Sequence, residues 1–256
     1  MNLIENHKIL RVKNGEVYKT TDKIIKEVPY TLFVNKKETI NFVCTPEYIK
    51  DLTVGYLFSQ GLLKNIEDIE KVKINKNIIK IEMENFCLTN TTKSIMTSGE
   101  RSYSNNKKHF KKVKKDSSFK KIKPKDIYKE TNNLFASSTL HAETGGVHNA
   151  MLINFEKNFN EFRKDVGRHN TIDKLIGYCL LNNISFDNKI LVFSGRISSE
   201  IIKKIAKAQI PVIISVSAPT DLAIKIGKKY NITLVGFVRG KKMNIYNDPG
   251  RIDLKK

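Results

Sequence analysis

Apolar and polar residues change their spacing twice along this chain, and the changes mark out its elements. Between residues 24 and 44 the runs EVPYTLFV and TINFVC read as extended segments around a turn at Asn35–Lys37. A helix is expected next. Thr45 can cap it, Pro46 suits its first position, and Gly61 suits its exit. Ile49, Leu52, Tyr56 and Leu57 would form its buried stripe. Val72–Met83 alternates again and reads as strands.

Further on, Asp126–Ser137 looks helical, and Ala150–Phe155 and Glu161–Arg163 look extended. Thr171–Leu181 is amphipathic, with Ile172, Leu175, Ile176, Cys179 and Leu180 at helical spacing. A regular alternation then begins. ILVF (190–193), PVIISVS (211–217) and ITLVGFV (232–238) are apolar strands separated by helices over 198–209 and 220–230. Continuous apolar strands between helices imply a parallel sheet covered on both faces. After Gly240-Lys241, MNIYN is expected to return as an antiparallel edge strand.

Ligands of open α/β sheets bind beyond the carboxyl ends of the strands. Those ends carry Ser194-Gly195-Arg196 and Ser217-Ala218-Pro219-Thr220, while Asp165-Val166-Gly167-Arg168-His169-Asn170 leads into another helix. Helix starts present unpaired N–H groups and partial positive charge, which suit phosphate. Arg168, Arg196 and Arg239 stand at such places, and the chain has only 7 arginines. Guanidinium forks grip phosphate bidentately. The competing reading is that each arginine bridges loops through a carboxylate such as Asp165 or Asp173.

Composition narrows the picture. Over 256 residues the formal charge is +20, carried by 39 lysines and 7 arginines. That invites a nucleic-acid reading, but abundant Lys, Asn and Ile also fit the bias of an AT-rich genome. Ten lysines fall between Lys107 and Lys125, read as an exposed, flexible basic loop. Three widely spaced cysteines (Cys44, Cys87, Cys179) form no disulfide framework, so a reducing, cytoplasmic location is expected. No secretory signal and no membrane span is visible.

Local motifs exclude several chemistries. His141-Ala142-Glu143 is half of the zinc-deaminase signature, but the Cys-x-x-Cys half is missing, so no zinc centre is expected. No P-loop, Rossmann fingerprint or nucleophile elbow occurs. Gly145-Gly146 permits a close backbone approach, although a tight turn accounts for it equally. His148 and His169 could be acid–base groups or structural hydrogen-bonding residues.

Several stretches together point to a family. TGGVHNAML (144–152), KDVGRHNTIDKLIG (164–177), SGRISSEIIKK (194–204), SVSAPTDLAIKIG (215–227) and LVGFVRGKKMNIYNDPGRI (234–252) resemble the FdhD family in order and spacing. EVPYTLFVN (27–35) and TPEYIKDLTVGYLFSQGLL (45–63) match too. The resemblance implies an α/β fold: a three-layer α/β/α core similar to cytidine deaminases, over 127–256, without zinc. A small N-terminal β-rich lobe with one helix would occupy 1–98 and the basic loop 99–126.

The resemblance also implies a role. Such proteins take persulfide sulfur from a cysteine desulfurase and pass it to the bis-molybdopterin guanine dinucleotide cofactor of formate dehydrogenase, and they pair as homodimers. The family's cofactor-binding stretch maps onto Phe237, Val238, Arg239, Gly240, Lys241 and Lys242. Gly145, Gly146, His148, Gly167, Arg168, His169, Asp173, Lys174, Gly195 and Arg196 are further candidates for the pocket wall. One departure stands out. The family's persulfide cysteine falls where this chain has MTSGERSYSNN (96–106), with Glu100 at the first cysteine position and Tyr103 at the second. A carboxylate cannot carry a persulfide. Cys44 and Cys179 are expected to be buried and inert, and Cys87 is the weak surrogate. The alternatives are therefore a sulfurtransferase, a cofactor-binding chaperone without persulfide transfer, and a basic nucleic-acid binder.

Overall fold

A computed structural model describes residues 2–86, the backbone of 95–96, and residues 111–114 and 119–254. It opens with a hairpin that the sequence reading leaves unassigned. Strands β1 (Ile4–Lys13) and β2 (Glu16–Ile25) pair antiparallel around Asn14-Gly15. Both turn residues have positive φ, the conformation that a two-residue hairpin turn demands.

A five-stranded sheet follows, in the order β5-β6-β3-β4-β7. Strands β3 (Val28–Val34) and β4 (Lys37–Cys44) are the two extended runs expected from the sequence. Strands β5 (Ile69–Asn75) and β6 (Ile78–Met83) are the later alternating segment, and β7 (Ile95–Met96) pairs with β4. Helix α1 (Ile49–Gln60) covers this sheet with Ile49, Leu52, Tyr56 and Leu57, the expected stripe. Its exit is Gly61 in the left-handed region, also as expected. Its start is not. The helix begins at Ile49 with Tyr48 at the cap and no side-chain capping bond. Thr45 is buried and serves a tertiary contact instead: its N–H donates to Asp165 Oδ2 (3.1 Å), and its Oγ1 accepts from the Val166 N–H (3.1 Å).

The larger sheet has six strands in the order β13-β12-β11-β10-β8-β9. Strands β10 (Ile190–Phe193), β11 (Val212–Ser215) and β12 (Thr233–Arg239) are mutually parallel, as the strand–helix alternation predicts. The sheet as a whole is mixed, because three more strands join it antiparallel. β8 (His148–Asn154) and β9 (Phe159–Asp165) form a hairpin beside β10, and β13 (Lys242–Asn247) folds back on β12. A short turn can join only antiparallel neighbours, whereas β10, β11 and β12 are linked through helices.

Helices cover both faces. Helix α4 (Arg168–Leu181), α5 (Ser199–Ala208) and α6 (Asp221–Lys229) share a core with Leu191, Phe193, Ile213 and Leu234. On the other face α2 (Pro124–Ala136) packs Ile127 and Leu134 against Val192, Ile214 and Val235, and the short α3 (Thr139–Thr144) leads into β8. The two sheets are joined through α1 and α4, which touch at backbone distance. A Cβ on Gly55 would fall on the Asp173 carbonyl, and one on Gly177 on the Asp51 carbonyl. That contact buries α4 on nearly every side, so its amphipathic pattern understates its burial. No helix among the described residues is long and apolar enough to cross a membrane.

Candidate functional site

The carboxyl ends of β10, β11 and β12 lie at one edge of the six-stranded sheet. β8 and β9 run opposite to β10 and parallel to it respectively, so His148 at the start of β8 and Asp165 at the end of β9 reach the same edge. Hydrogen bonds knit the turns together. The Asn149 N–H donates to Ser194 Oγ (2.8 Å), and the Ser194 N–H returns to the Asn149 carbonyl (2.9 Å). Ser217 Oγ donates to the Ser194 carbonyl (2.9 Å) and Ser215 Oγ to the Gly195 carbonyl (2.8 Å). The Phe237 N–H reaches the Ser217 carbonyl (3.3 Å). The small hydroxyl residues that drew attention in the sequence are thus rivets between adjacent strand ends.

Gly195 brings the first charged groups together. A Cβ there would strike the Phe193 ring and lie 3.2 Å from Arg168 Cβ. The bare glycine therefore lets the start of α4 lie against the β10 turn. Arg168 and Arg196 become neighbours. Burial lowers the Arg168 pKa, and the charge of Arg196 lowers it further. Burial also pulls His148 down, followed by Arg168. His169 is pushed down to about 3 by burial, then by Lys204, Arg168 and His148. Both rings are therefore neutral at pH 7, and Nε2 of His169 is buried without a hydrogen bond. The two carboxylates named in the competing reading have lysine partners. Asp165 pairs with Lys174 (2.6 Å) and Asp173 with Lys204. Arg196 is exposed and, like Arg239, has no ion pair among the described residues.

Two sequence candidates move to another role. Asp173 and Lys174 are almost wholly buried. Asp173 accepts from Ser59 Oγ (2.7 Å) as well as from Lys204, and Lys174 Nζ donates to the Thr45 carbonyl (3.1 Å). They form an internal ionic network and do not line a pocket wall. Gly167 caps α4, its N–H donating to Asp165 Oδ1 (2.7 Å). Gly145 is the left-handed C-cap of α3, and Gly146 packs on Ile25 of β2. The turn thus accounts for Gly145, and the close approach of β2 for Gly146. His141 and Glu143, the zinc-like fragment, are occupied by the Val147 carbonyl (3.1 Å) and Lys23 (2.6 Å).

The 237–242 stretch sits two strands from β10, about 10 Å away at ordinary strand spacing. Phe237 has φ +53 beside a register shift, and Gly240 has φ +57. Phe237, Arg239, Gly240, Lys241 and Lys242 are exposed, while Val238 is buried. Arg239 and Gly240 line a hollow of about 270 Å3 that opens on the α2 side, whereas Arg168 starts a helix of the opposite layer. The structure therefore joins Arg168, Arg196, His148 and His169 closely and sets Arg239 farther along the same edge. The α2 residues Tyr128, Asn132 and Phe135 at that hollow had no sequence signal beyond sharing a helical face.

Cys44 and Cys179 are buried, and burial pushes each thiol up to about 12; Asp165 adds to the shift at Cys44. Glu100, Tyr103 and Cys87 lie outside the described residues, as does most of the basic loop.

Fold and site together define an α/β protein with a cation-lined sheet edge and no reactive thiol among the described residues. The sequence model of the FdhD/NarQ family matches residues 25–253, and the chain belongs to that family. It is 38% identical over 251 residues to the sulfur carrier protein FdhD of Bacillus subtilis, covering 95% of each chain. The sulfur carrier protein FdhD of Staphylococcus haemolyticus is 38% identical over 261 residues, covering 98% of this chain and 97% of its own. A crystal structure described as a formate dehydrogenase accessory protein, from Desulfotalea psychrophila, superposes with a TM-score of 0.79 at 24% identity. That match covers 98% of this chain and 100% of the other, and it shows the shared fold.

Proposed function

We propose that this chain binds the bis-molybdopterin guanine dinucleotide cofactor along the carboxyl edge of its six-stranded sheet and holds it for sulfuration on behalf of formate dehydrogenase. The observation that carries this reading is the crowding of Arg168 and Arg196 beside two neutral histidines, with no carboxylate on Arg196 or Arg239 among the described residues. Adjacent guanidinium groups repel each other, and a polyanion at the same edge relieves that repulsion. The donor set suits phosphate: guanidinium forks, a helix start at Arg168, and lysines at 241 and 242.

Sulfur would reach the cofactor from a cysteine desulfurase. Within this chain the burden falls on Cys87, because the thiols of Cys44 and Cys179 are buried and far from forming thiolate at neutral pH. Those two buried thiols also support a second reading, a holder of the cofactor that moves no sulfur itself. A second copy of the chain, formate dehydrogenase and the desulfurase are the partners of either form.

Two measurements test this. In a titration with guanosine diphosphate, Arg196→Ala and Arg239→Ala should each weaken binding about tenfold, the worth of a hydrogen bond to a charged group. Undiminished binding in both would refute the placement. Incubation with a desulfurase and cysteine, followed by mass mapping of persulfides, then separates the two forms. Label on Cys87 identifies a sulfurtransferase, and no label on any cysteine identifies the holder.

A further inference from the structure

We infer that the outer edge of strand β1 is a docking strip for an extended, acidic segment of a partner protein, which joins the N-terminal hairpin as a third strand. Strands β1 and β2 form a two-stranded sheet, and among the described residues no other strand pairs with either. Their register runs unbroken from Ile4 opposite Ile25 to Lys13 opposite Glu16, a ribbon about 33 Å long. A lone two-stranded ribbon is marginal in water. Its base is supported, since Ile25 packs on Gly146 and Lys23 pairs with Glu143 (2.6 Å). Toward the turn, none of its residues joins a buried core.

The two faces of the ribbon differ. Residues directly opposite one another share a face. One face carries Lys8, Leu10, Val12, Val17, Lys19 and Lys23 with no carboxylate, whereas Glu5, Glu16 and Asp22 lie on the other. Leu10 and Val12 are 66% exposed and Val17 63%. Lys8 and Lys19 are exposed and without an ion pair among the described residues. The face that meets α3 at the base thus continues uncovered to the tip. The backbone adds to this. The two-residue turn makes Lys13 and Glu16 a mutually hydrogen-bonded pair, and the Lys26 N–H donates to the Leu3 carbonyl (2.8 Å) in the same alternation. Lys8, Leu10 and Val12 therefore aim their N–H and C=O groups away from β2. Helix α3 lies against β2, which leaves the edge of β1 open.

Three features select the occupant. Unpaired backbone groups cannot enter hydrocarbon, which speaks against a lipid surface. Lysines along a regular, bulge-free edge repel a second copy of the same edge. An acidic strand meets every requirement: its backbone pairs with the open edge, its apolar side chains cover Leu10 and Val12, and its carboxylates meet Lys8 and Lys19.

The test is an NMR titration of the full chain with the capped peptide Val-Thr-Val-Thr-Glu-Thr-Glu. Set antiparallel to β1, it places its valines opposite Val12 and Leu10 and a glutamate opposite Lys8. It should shift the amide signals of Lys8, Leu10 and Val12 and slow their exchange with solvent deuterium. The same peptide with lysine for each glutamate should bind at least tenfold more weakly. Lys8→Glu combined with Lys19→Glu should weaken the acidic peptide at least tenfold. Lys73→Glu combined with Lys80→Glu, an exposed cross-strand pair on the five-stranded sheet, changes the net charge equally and should leave binding intact. Equal weakening by the two double variants would mean that overall charge drives the attraction, and would overturn the strip. Absent binding, or binding without protection of the three amides, overturns it too. Equal affinity for the acidic and basic peptides overturns the acidic partner. Protection of the same amides that grows with protein concentration, without peptide, would make a second copy the occupant instead.

Discussion

At the scale of single residues, neighbours decide chemistry that residue type leaves open. His169 was open to an acid–base role in the sequence. Buried beside Lys204, Arg168 and His148, its ring is held neutral, with a pKa of about 3. In the unfolded chain an imidazole titrates near ~6.5. Between those values the unfolded state holds the extra proton, so stability rises with pH there. The contribution is whole above about pH 6.5 and is lost as pH falls toward the folded value. Well below 6.5 its slope approaches about 1.4 kcal/mol per pH unit. Urea unfolding of wild type and His169→Gln between pH 7 and 4.5 should show a shallower decline in the variant. Parallel curves would mean that another group governs acid stability. Cys44 and Cys179 illustrate the opposite case: their apolar settings were legible from sequence, and burial closes them to thiolate chemistry.

At the scale of elements, periodicity was a good guide to the strands and helices of the larger sheet. The strands around Ile190–Phe193, Val212–Ser215 and Thr233–Arg239 and the helices between them stand where apolar runs and helical spacing place them. The helix start near Thr45 was misplaced because Thr45 answers to Asp165 and Val166, some 120 positions away in sequence. Capping rules are local and cannot weigh such a contact. The closeness of α1 and α4 was equally hidden, since two ordinary helical glycines carry no mark of their mutual approach. Gly177→Ala should cost about 1–3 kcal/mol through forced separation of the two helices. A lowered midpoint in chemical unfolding, with far-UV helix content retained, is the expected result. An unchanged midpoint would show that the helices yield easily.

At the scale of the whole molecule, the two sheets are held together by buried ions as well as by apolar packing. Lys174 is fully buried on α4, pairs with Asp165 at the end of β9, and donates to the Thr45 carbonyl after β4. Arg163 of β9 pairs with Asp51 of α1 (2.7 Å), with Tyr48 and Tyr178 against its guanidinium. Removing one member of a buried pair strands the other. Lys174→Met should therefore lower unfolding free energy by about 3–5 kcal/mol. Loss of below ~1 kcal/mol in equilibrium denaturation would show that water reaches Asp165 and that the network is weaker than its burial suggests.

The sequence by itself determined the strand–helix alternation, the positions of the three parallel strand ends and the turn-forming residues there, because periodicity and turn chemistry act over a few residues. It also carried the family, through motifs spread along the chain. Only the tertiary structure decided which charges meet. Asp173 and Lys174, adjacent to the site motif, turn inward to partners, while Arg168 and Arg196, 28 positions apart, become neighbours across Gly195. Electrostatic partnership depends on distance in space, and chain spacing says little about that once strands from opposite ends of a domain share one edge.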